Sequence, residues 1–174
     1  MNSNQFKIRE GKAILHYEET QKRTVGQKIR KIKNTILMLL AYACPTASIR
    51  VRLHRWRGVN IGKNVYIGLF CFFDNLYPEY IYIEDNASIN AGAMILTHFN
   101  PMKRYANIFQ AKVEPILIKE GAIVSVKSVI LPGVTVGKNA VVSASTVVDK
   151  NVPDYSLAKG NPMKIVAEYE YLMR

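Results

Sequence analysis

Cysteine, histidine and tryptophan are scarce in this chain: two, three and one among 174 residues. Cys44 and Cys71 show no CxxC spacing and have no histidine close by, so no metal site or redox pair is encoded. Free thiols in a reducing compartment are the expectation, which makes the cytoplasm the expected location. No Walker-type or Rossmann-type glycine loop occurs, which argues against nucleotide-driven chemistry. The opening MNSNQFKIRE is polar and lacks an apolar core, so no secretory signal is expected. The continuous apolar run Ile36–Cys44 has nine residues, too few to span a bilayer.

Acidic residues are missing from one part of the chain. Residues 1–60 hold 13 Lys/Arg and three acids, a balance of +10, whereas residues 61–174 hold 11 and ten, a balance of +1. The total of +11 therefore belongs to a basic appendage, and a nucleic-acid groove across the main domain is not expected. An apolar content of 49% with 21% charge describes a globular chain with a real core.

The basic segment covers residues 1–58. Residues 1–23 have no clear period and read as loose or partner-dependent. An amphipathic helix is predicted over about 25–44, with Val25, Ile29, Ile32, Ile36, Leu39 and Ala43 on one face and Lys28, Arg30, Lys31 and Lys33 between them. Pro45 ends it. The expected use of its apolar face is packing on the main domain or on a neighbouring subunit. The alternative is peripheral contact with an anionic membrane at its inner face. Residues 46–58 alternate Ile49, Val51 and Leu53 with Arg50, Arg52 and His54, and read as a strand or a basic helix. Trp56 is expected to pack with arginines over its indole rather than to stack on nucleic acid.

From Ile61 a different rhythm begins. Aliphatic or aromatic residues recur every six positions: Ile61, Ile67, Phe73; Ile83, Ile89, Ile95; Ile118, Val124, Ile130; Val136, Val142, Val148. Six fits neither a helix nor a simple strand. It fits short strands joined by tight turns into a three-sided coil that returns every 18 residues, an all-β solenoid spanning 59–155. The fifth position of each step is small or compact, as at Cys71, Ala87, Ala93, Ala122, Ser128 and Ala140. Asn64, Asn86, Gly121, Gly133 and Asn139 fall at expected turns, where positive φ is needed. Two insertions interrupt the series: four residues around Tyr77–Tyr80 and seventeen over about 98–115. Residues 156–174 form a tail.

Three stretches carry a resemblance: INAGAMILTHFNP, ILPGVTVGKNAVVSASTVVDKNVPDYS and AKGNPMKIV. With the hexapeptides, they resemble the hexapeptide-repeat acyltransferases, whose fold is a left-handed parallel β-helix. The branch with maltose and galactoside O-acetyltransferases and the acetyltransferases of capsule, colanic-acid and lipopolysaccharide assembly is most similar. The resemblance implies a homotrimer with sites between neighbouring coils, acetyl-CoA as acyl donor and no required metal. It implies O-acetylation of a sugar or glycan-precursor hydroxyl; N-acylation of an amino sugar or amino acid, or a non-catalytic oligomeric scaffold, are the alternatives.

Acyl transfer from a thioester needs a base for the acceptor, a donor for the developing oxyanion and a seat for coenzyme A. A histidine titrates near neutrality and suits the first task. The resemblance implies His98 as that base, with Asp74 or Glu79 orienting it and Asn75 and Asn100 meeting the acceptor. The backbone N–H of Val126 would face the oxyanion. Ser125, Ser143, Ala144, Lys150 and Lys164 would line the coenzyme A groove. Ser125, Lys127 and Asp149 depart from the family pattern. His16 and His54 are expected to be ordinary polar loop residues.

Overall fold

The computed structural model describes residues 5–16 and 24–169. The coil forms as the six-residue spacing predicts. Strands of two to four residues stack in parallel along three faces. The first face stacks Asn60–Ile61, Ile81–Ile83, Ile116–Ile118 and Thr135–Val136. The second stacks Tyr66–Ile67, Ser88–Ile89, Ile123–Val124, Val141–Val142 and Ser156–Lys159, and the antiparallel Lys164–Glu168 closes it. The third stacks Phe72–Phe73, Met94–Ile95, Val129–Ile130 and Val147–Val148.

Register confirms the period and both insertions. Ile61 pairs with Ile83, Ile83 with Ile118 and Ile118 with Val136, so the chain resumes phase after each interruption. The inward apolar residues are buried and stack in three columns, one per face, that meet in one core, each contributing roughly 1.5–3 kcal/mol by its removal from water. Cys71, Ala87, Ala93, Ala122, Ser128, Ala140 and Thr146 fill the corners and are buried, because a larger side chain there would strike the next coil. Asn64, Asn86, Gly121, Gly133 and Asn139 all have positive φ, between 51° and 84°. The corner between the second and third faces also turns through positive φ, at Phe70, Gly92, Lys127 and Ser145, and only one of these is glycine.

The appendage departs from its sequence reading in several places. The first helix, α1 (Val25–Ala43), starts at a Thr24–Gln27 capping box. Its buried residues are Asn34 and Ala41, whereas Val25, Ile29, Ile32, Ile36 and Leu39 are exposed. The apolar stripe thus faces away from the main domain, which rules out the first of its expected uses and leaves a neighbouring subunit or a membrane. Residues 46–58 are a helix, α2 (Ala47–Arg57), ended by Gly58 at φ 105°. Its alternation arises because Arg50, Val51, His54 and Arg57 share the buried side. Trp56, expected to be packed, is 64% exposed.

Residues 5–16 lie along the coil rather than loose. Gln5 bonds Asp85 (2.6 Å), the Arg9 N–H reaches the Tyr82 hydroxyl (2.9 Å), and Lys12–Ala13 pairs antiparallel with Lys112–Val113. The remainder of the segment predicted to be loose, and residues 170–174 of the tail, lie outside the described residues. Among the described residues, no helix is long and apolar enough to cross a membrane.

Candidate active site

The coil places Asp74 and His98 at one edge. Phe73 and Ile95 are paired on the third face, so the residues that follow them leave the face together. Asp74 ends the earlier turn, and Thr97 and His98 end the later one. Ile95 O accepts the Asp74 N–H (2.9 Å), which fixes the two turns against each other.

The Asp74 carboxylate is fully buried, and four donors converge on it. Oδ1 accepts the N–H groups of Leu76 (2.8 Å) and Tyr77 (3.2 Å). Oδ2 accepts the N–H of Thr97 (3.0 Å) and the Nδ1–H of His98. Burial pushes the Asp74 carboxyl up, but the bonds and charge of His98 and the bonds from Thr97 and Leu76 together outweigh it, so it titrates below its ordinary value. An ionised carboxylate only accepts, so the proton on His98 sits on Nδ1 and Nε2 carries the lone pair. The His98 side chain is 26% exposed while that of Asp74 is 0%, so the ring is the part that a ligand can reach. The Tyr77 ring lies edge-on to His98 at 5.6 Å between centroids.

Behind the carboxylate stands a group that the sequence reading missed. Arg57, on the buried side of α2, donates through Nη2 to the carbonyls of Phe73 and Asp74 (3.0 Å each) and to Asn75 Oδ1 (3.4 Å). Its Nη1 lies 3.0 Å from His54 Nδ1. Arginine has only donors, so this nitrogen of His54 accepts and is unprotonated. His54 is therefore no polar loop residue: it is buried in a helix and stacked on Phe73 at 4.3 Å. Burial, with Arg57 and Arg50 beside it, lowers its pKa to about 3. Burial likewise lowers Arg57 to about 10, leaving it charged at neutral pH. Asn75 Nδ2 donates to Thr35 Oγ1 on α1 (2.8 Å), so both helices brace the turn that carries Asp74.

The long insertion is built, not slack. His98–Phe99 pairs antiparallel with Lys112–Val113, and Lys12–Ala13 adds a third strand beyond it. Lys12 and His98 both face Val113 in register. The Lys12 ammonium lies 5.4 Å from the Tyr77 ring centre, so that ring sits between Lys12 and His98. His16 is the polar loop residue it was expected to be, with its Nδ1 bonded to the Pro101 carbonyl (3.0 Å). Asn100 Oδ1 is buried with no hydrogen-bond partner among the described residues.

Not every predicted site residue joins this cluster. Glu79 does not orient His98; it pairs with Arg30 at 3.4 Å on the outer side of the short helix Pro78–Tyr80. Ser125, Val126, Ser143 and Ala144 fall at the corner between the second and third faces, a different edge of the prism from His98. There Ser125 donates to Val142 O (3.0 Å), and Val126 O accepts from Ser145 (2.9 Å). The Val126 N–H has no backbone partner among the described residues. Lys150 is exposed at the His98 edge farther along the coil, and Lys164 is exposed on the closing strand. A single chain therefore places His98 and the Val126 N–H at different edges of the prism. Among the described residues no group of three or more His, Cys, Asp or Glu is arranged to hold a metal.

No family model matches the chain. A Bacillus subtilis (strain 168) protein named "Putative acetyltransferase YvoF" is 32% identical over 139 residues, covering 79% of this chain and 77% of that protein. A Staphylococcus aureus (strain Mu50) protein named "Putative acetyltransferase SAV2555" is 36% identical over 113 residues, and the chain spans 56% of its length. Among solved structures, the maltose O-acetyltransferase of Clostridium difficile 630 superposes with a TM-score of 0.66 at 20% identity, covering 84% of this chain and 90% of that one. A hexapeptide-repeat acetyltransferase of Vibrio cholerae O1 biovar eltor, solved with acetyl coenzyme A, superposes with a TM-score of 0.61 at 18% identity, covering 84% and 91%. The YvoF match across most of both chains, together with the six-residue coil, leads to one conclusion: this chain belongs to the hexapeptide-repeat acetyltransferase family.

Proposed function

We propose that this protein transfers an acetyl group from acetyl-CoA to a hydroxyl of a sugar or sugar-containing glycan precursor, with His98 as general base. The carrying observation is the buried Asp74 carboxylate on Nδ1 of a partly exposed His98. This leaves Nε2 free to take the acceptor's proton as its oxygen attacks the thioester carbonyl. The C–S bond then breaks, and the imidazolium returns that proton to the departing thiolate. Asp74 holds the tautomer and offsets the charge on the ring. A desolvated carboxylate held this way is costly to a protein that serves only as a scaffold.

The donor and the acceptor class rest on the same reading. Relatives named as acetyltransferases, and neighbours solved with acetyl-CoA or coenzyme A, support the donor. The free Val126 N–H suits the oxyanion, and its position at another edge supports a homotrimer in which one copy's Val126 meets the next copy's His98. The left-handed sense of the family's coil belongs to this reading. Ser143, Ala144 and Lys150 would then border the donor groove, with Lys150 and Lys164 available to phosphate. The Tyr77 ring, held between Lys12 and His98, would form one apolar wall of the acceptor's approach, and Asn100 would have to turn its now buried Oδ1 outward to meet a sugar hydroxyl.

The test is coenzyme A release from acetyl-CoA with a panel of sugars and nucleotide sugars. An acceptor should stimulate release, and His98→Ala should lower it by about 100-fold or more. Lability of the product to neutral hydroxylamine identifies an ester rather than an amide. Failure of the wild-type protein to bind acetyl-CoA would overturn the proposal.

A further inference from the structure

The stripe on α1 remains to be explained. Val25, Ile29, Ile32, Ile36, Leu39 and Leu40 are each more than half exposed, on a helix whose opposite side, Asn34 and Ala41, is buried. Five of them follow steps of four, three, four and three, so they form one continuous band about 20 Å long. Soluble surfaces scatter such residues singly; a contiguous band of this size marks an interaction face.

We propose that this face seats the protein on an anionic lipid surface, with α1 lying in the plane of the headgroups. The charge pattern selects this occupant. Lys28 and Lys33 flank the stripe on its two sides at helical spacing, and both are exposed. Neither α1 nor α2 contains an aspartate or glutamate. A second copy of the helix would set lysine against lysine along the seam, with no acid on α1 to answer it. An anionic bilayer takes the aliphatic band at the acyl boundary and pairs the lysines with its headgroups. Lys33 Nζ donates to the Trp56 carbonyl (3.2 Å), which brings the exposed Trp56 beside that flank. An indole with one polar edge suits the headgroup layer. At the other end Tyr42 and Phe70 stack edge to face at 5.3 Å, and the Phe70 N–H donates to Tyr42 O (2.9 Å). The helix is thus fixed to the coil at its C-terminal end and would dock as one rigid piece with it.

The experiment is co-sedimentation of the full-length protein with phosphatidylcholine vesicles, with and without phosphatidylglycerol. Trp56 is the only tryptophan in the chain, so its fluorescence reports the same event. Binding should be about tenfold or more tighter to the anionic vesicles, with a blue shift of the Trp56 emission. Ile32→Ser/Ile36→Ser should abolish both signals. Lys28→Gln/Lys33→Gln should remove the preference for anionic lipid. Both pairs are exposed, so the fold and acetyl-CoA turnover on a soluble acceptor should survive. Absence of sedimentation with either vesicle, or equal binding to both, would overturn the proposal. So would an oligomer that Ile32→Ser/Ile36→Ser disperses in sedimentation velocity, which would assign the face to a second copy. Binding is read without catalysis, so this inference fails or stands apart from acetyl transfer.

Discussion

Asp74 Oδ2 accepts the Nδ1–H of His98 although 24 positions separate them in the chain. One turn of the coil plus a short insertion closes that distance, because Phe73 and Ile95 stack on the same face. Repetition thus does more than build a core. It delivers two chemically distinct residues to one edge with a fixed spacing, and the Thr97 N–H on the same oxygen (3.0 Å) locks the pair.

Exchanging the carboxylate for an amide should separate shape from charge. In Asp74→Asn an NH2 group must face donors: the Leu76 and Tyr77 N–H groups, or Thr97 and His98. The imidazole then loses its tautomer restraint. Turnover should fall by about 10²–10⁴-fold with the KM for acetyl-CoA little changed. Steady-state kinetics reads both numbers, and an unchanged kcat would remove Asp74 from the reaction.

Arg57 acts through the backbone of Asp74 rather than on a substrate, and so is a positioning residue. Arg57→Met keeps the apolar stem but leaves the buried carbonyls of Phe73 and Asp74 without their donor. That should cost about 2–4 kcal/mol of stability. It should lower kcat more than it raises the KM for acetyl-CoA, and Arg57→Lys should recover part of both. Urea unfolding together with kinetics checks this. Equal stability of the methionine variant would mean that water replaces the guanidinium.

His54 gives the fold a dependence on pH. Its pKa is about 3 in the folded chain against 6.5 for an ordinary histidine. Above 6.5 both states are neutral there; as pH falls, the unfolded chain takes the proton first and gains. Stability is therefore lost progressively on acidification, by roughly 2 kcal/mol between about pH 7 and about pH 5. The Asp74 carboxyl, held below its ordinary value, works in the same direction at lower pH. His54→Gln keeps an acceptor for Arg57 without the titration. Urea midpoints across this range should slope less in that variant; equal slopes would exonerate His54.

The coil was legible because its constraint is one-dimensional. A buried position returns every 18 residues, so the columns that run from Ile61 to Val136 and from Phe73 to Val148, and the corners at Asn64 and Asn139, are written in linear spacing. His98 was legible through the resemblance that INAGAMILTHFNP carries, in a segment that leads into the long insertion. The support for Asp74 was not, since Arg57 reaches it from a helix outside the repeat, and nothing in the spacing of α2 encodes a partner on another element. The same limit explains Glu79, which was near in sequence but turned outward to Arg30. Amphipathicity revealed the stripe on α1 but not its direction. The small polar face around Asn34 and Ala41 took the contact with the domain and left the aliphatic one outside.

Lys12–Ala13 pairs with Lys112–Val113, and that strand pairs in turn with His98–Phe99. Lys12 precedes Val113 by 101 positions, so this strand is made well before its partner and waits for two coils to be synthesised before it has anything to join. The Asp74–His98 edge therefore closes only through a contact between distant parts of the chain, however early its outermost strand is made. A nascent chain halted before Val113 would carry a stacked coil, His98 included, but would lack the sheet that roofs it.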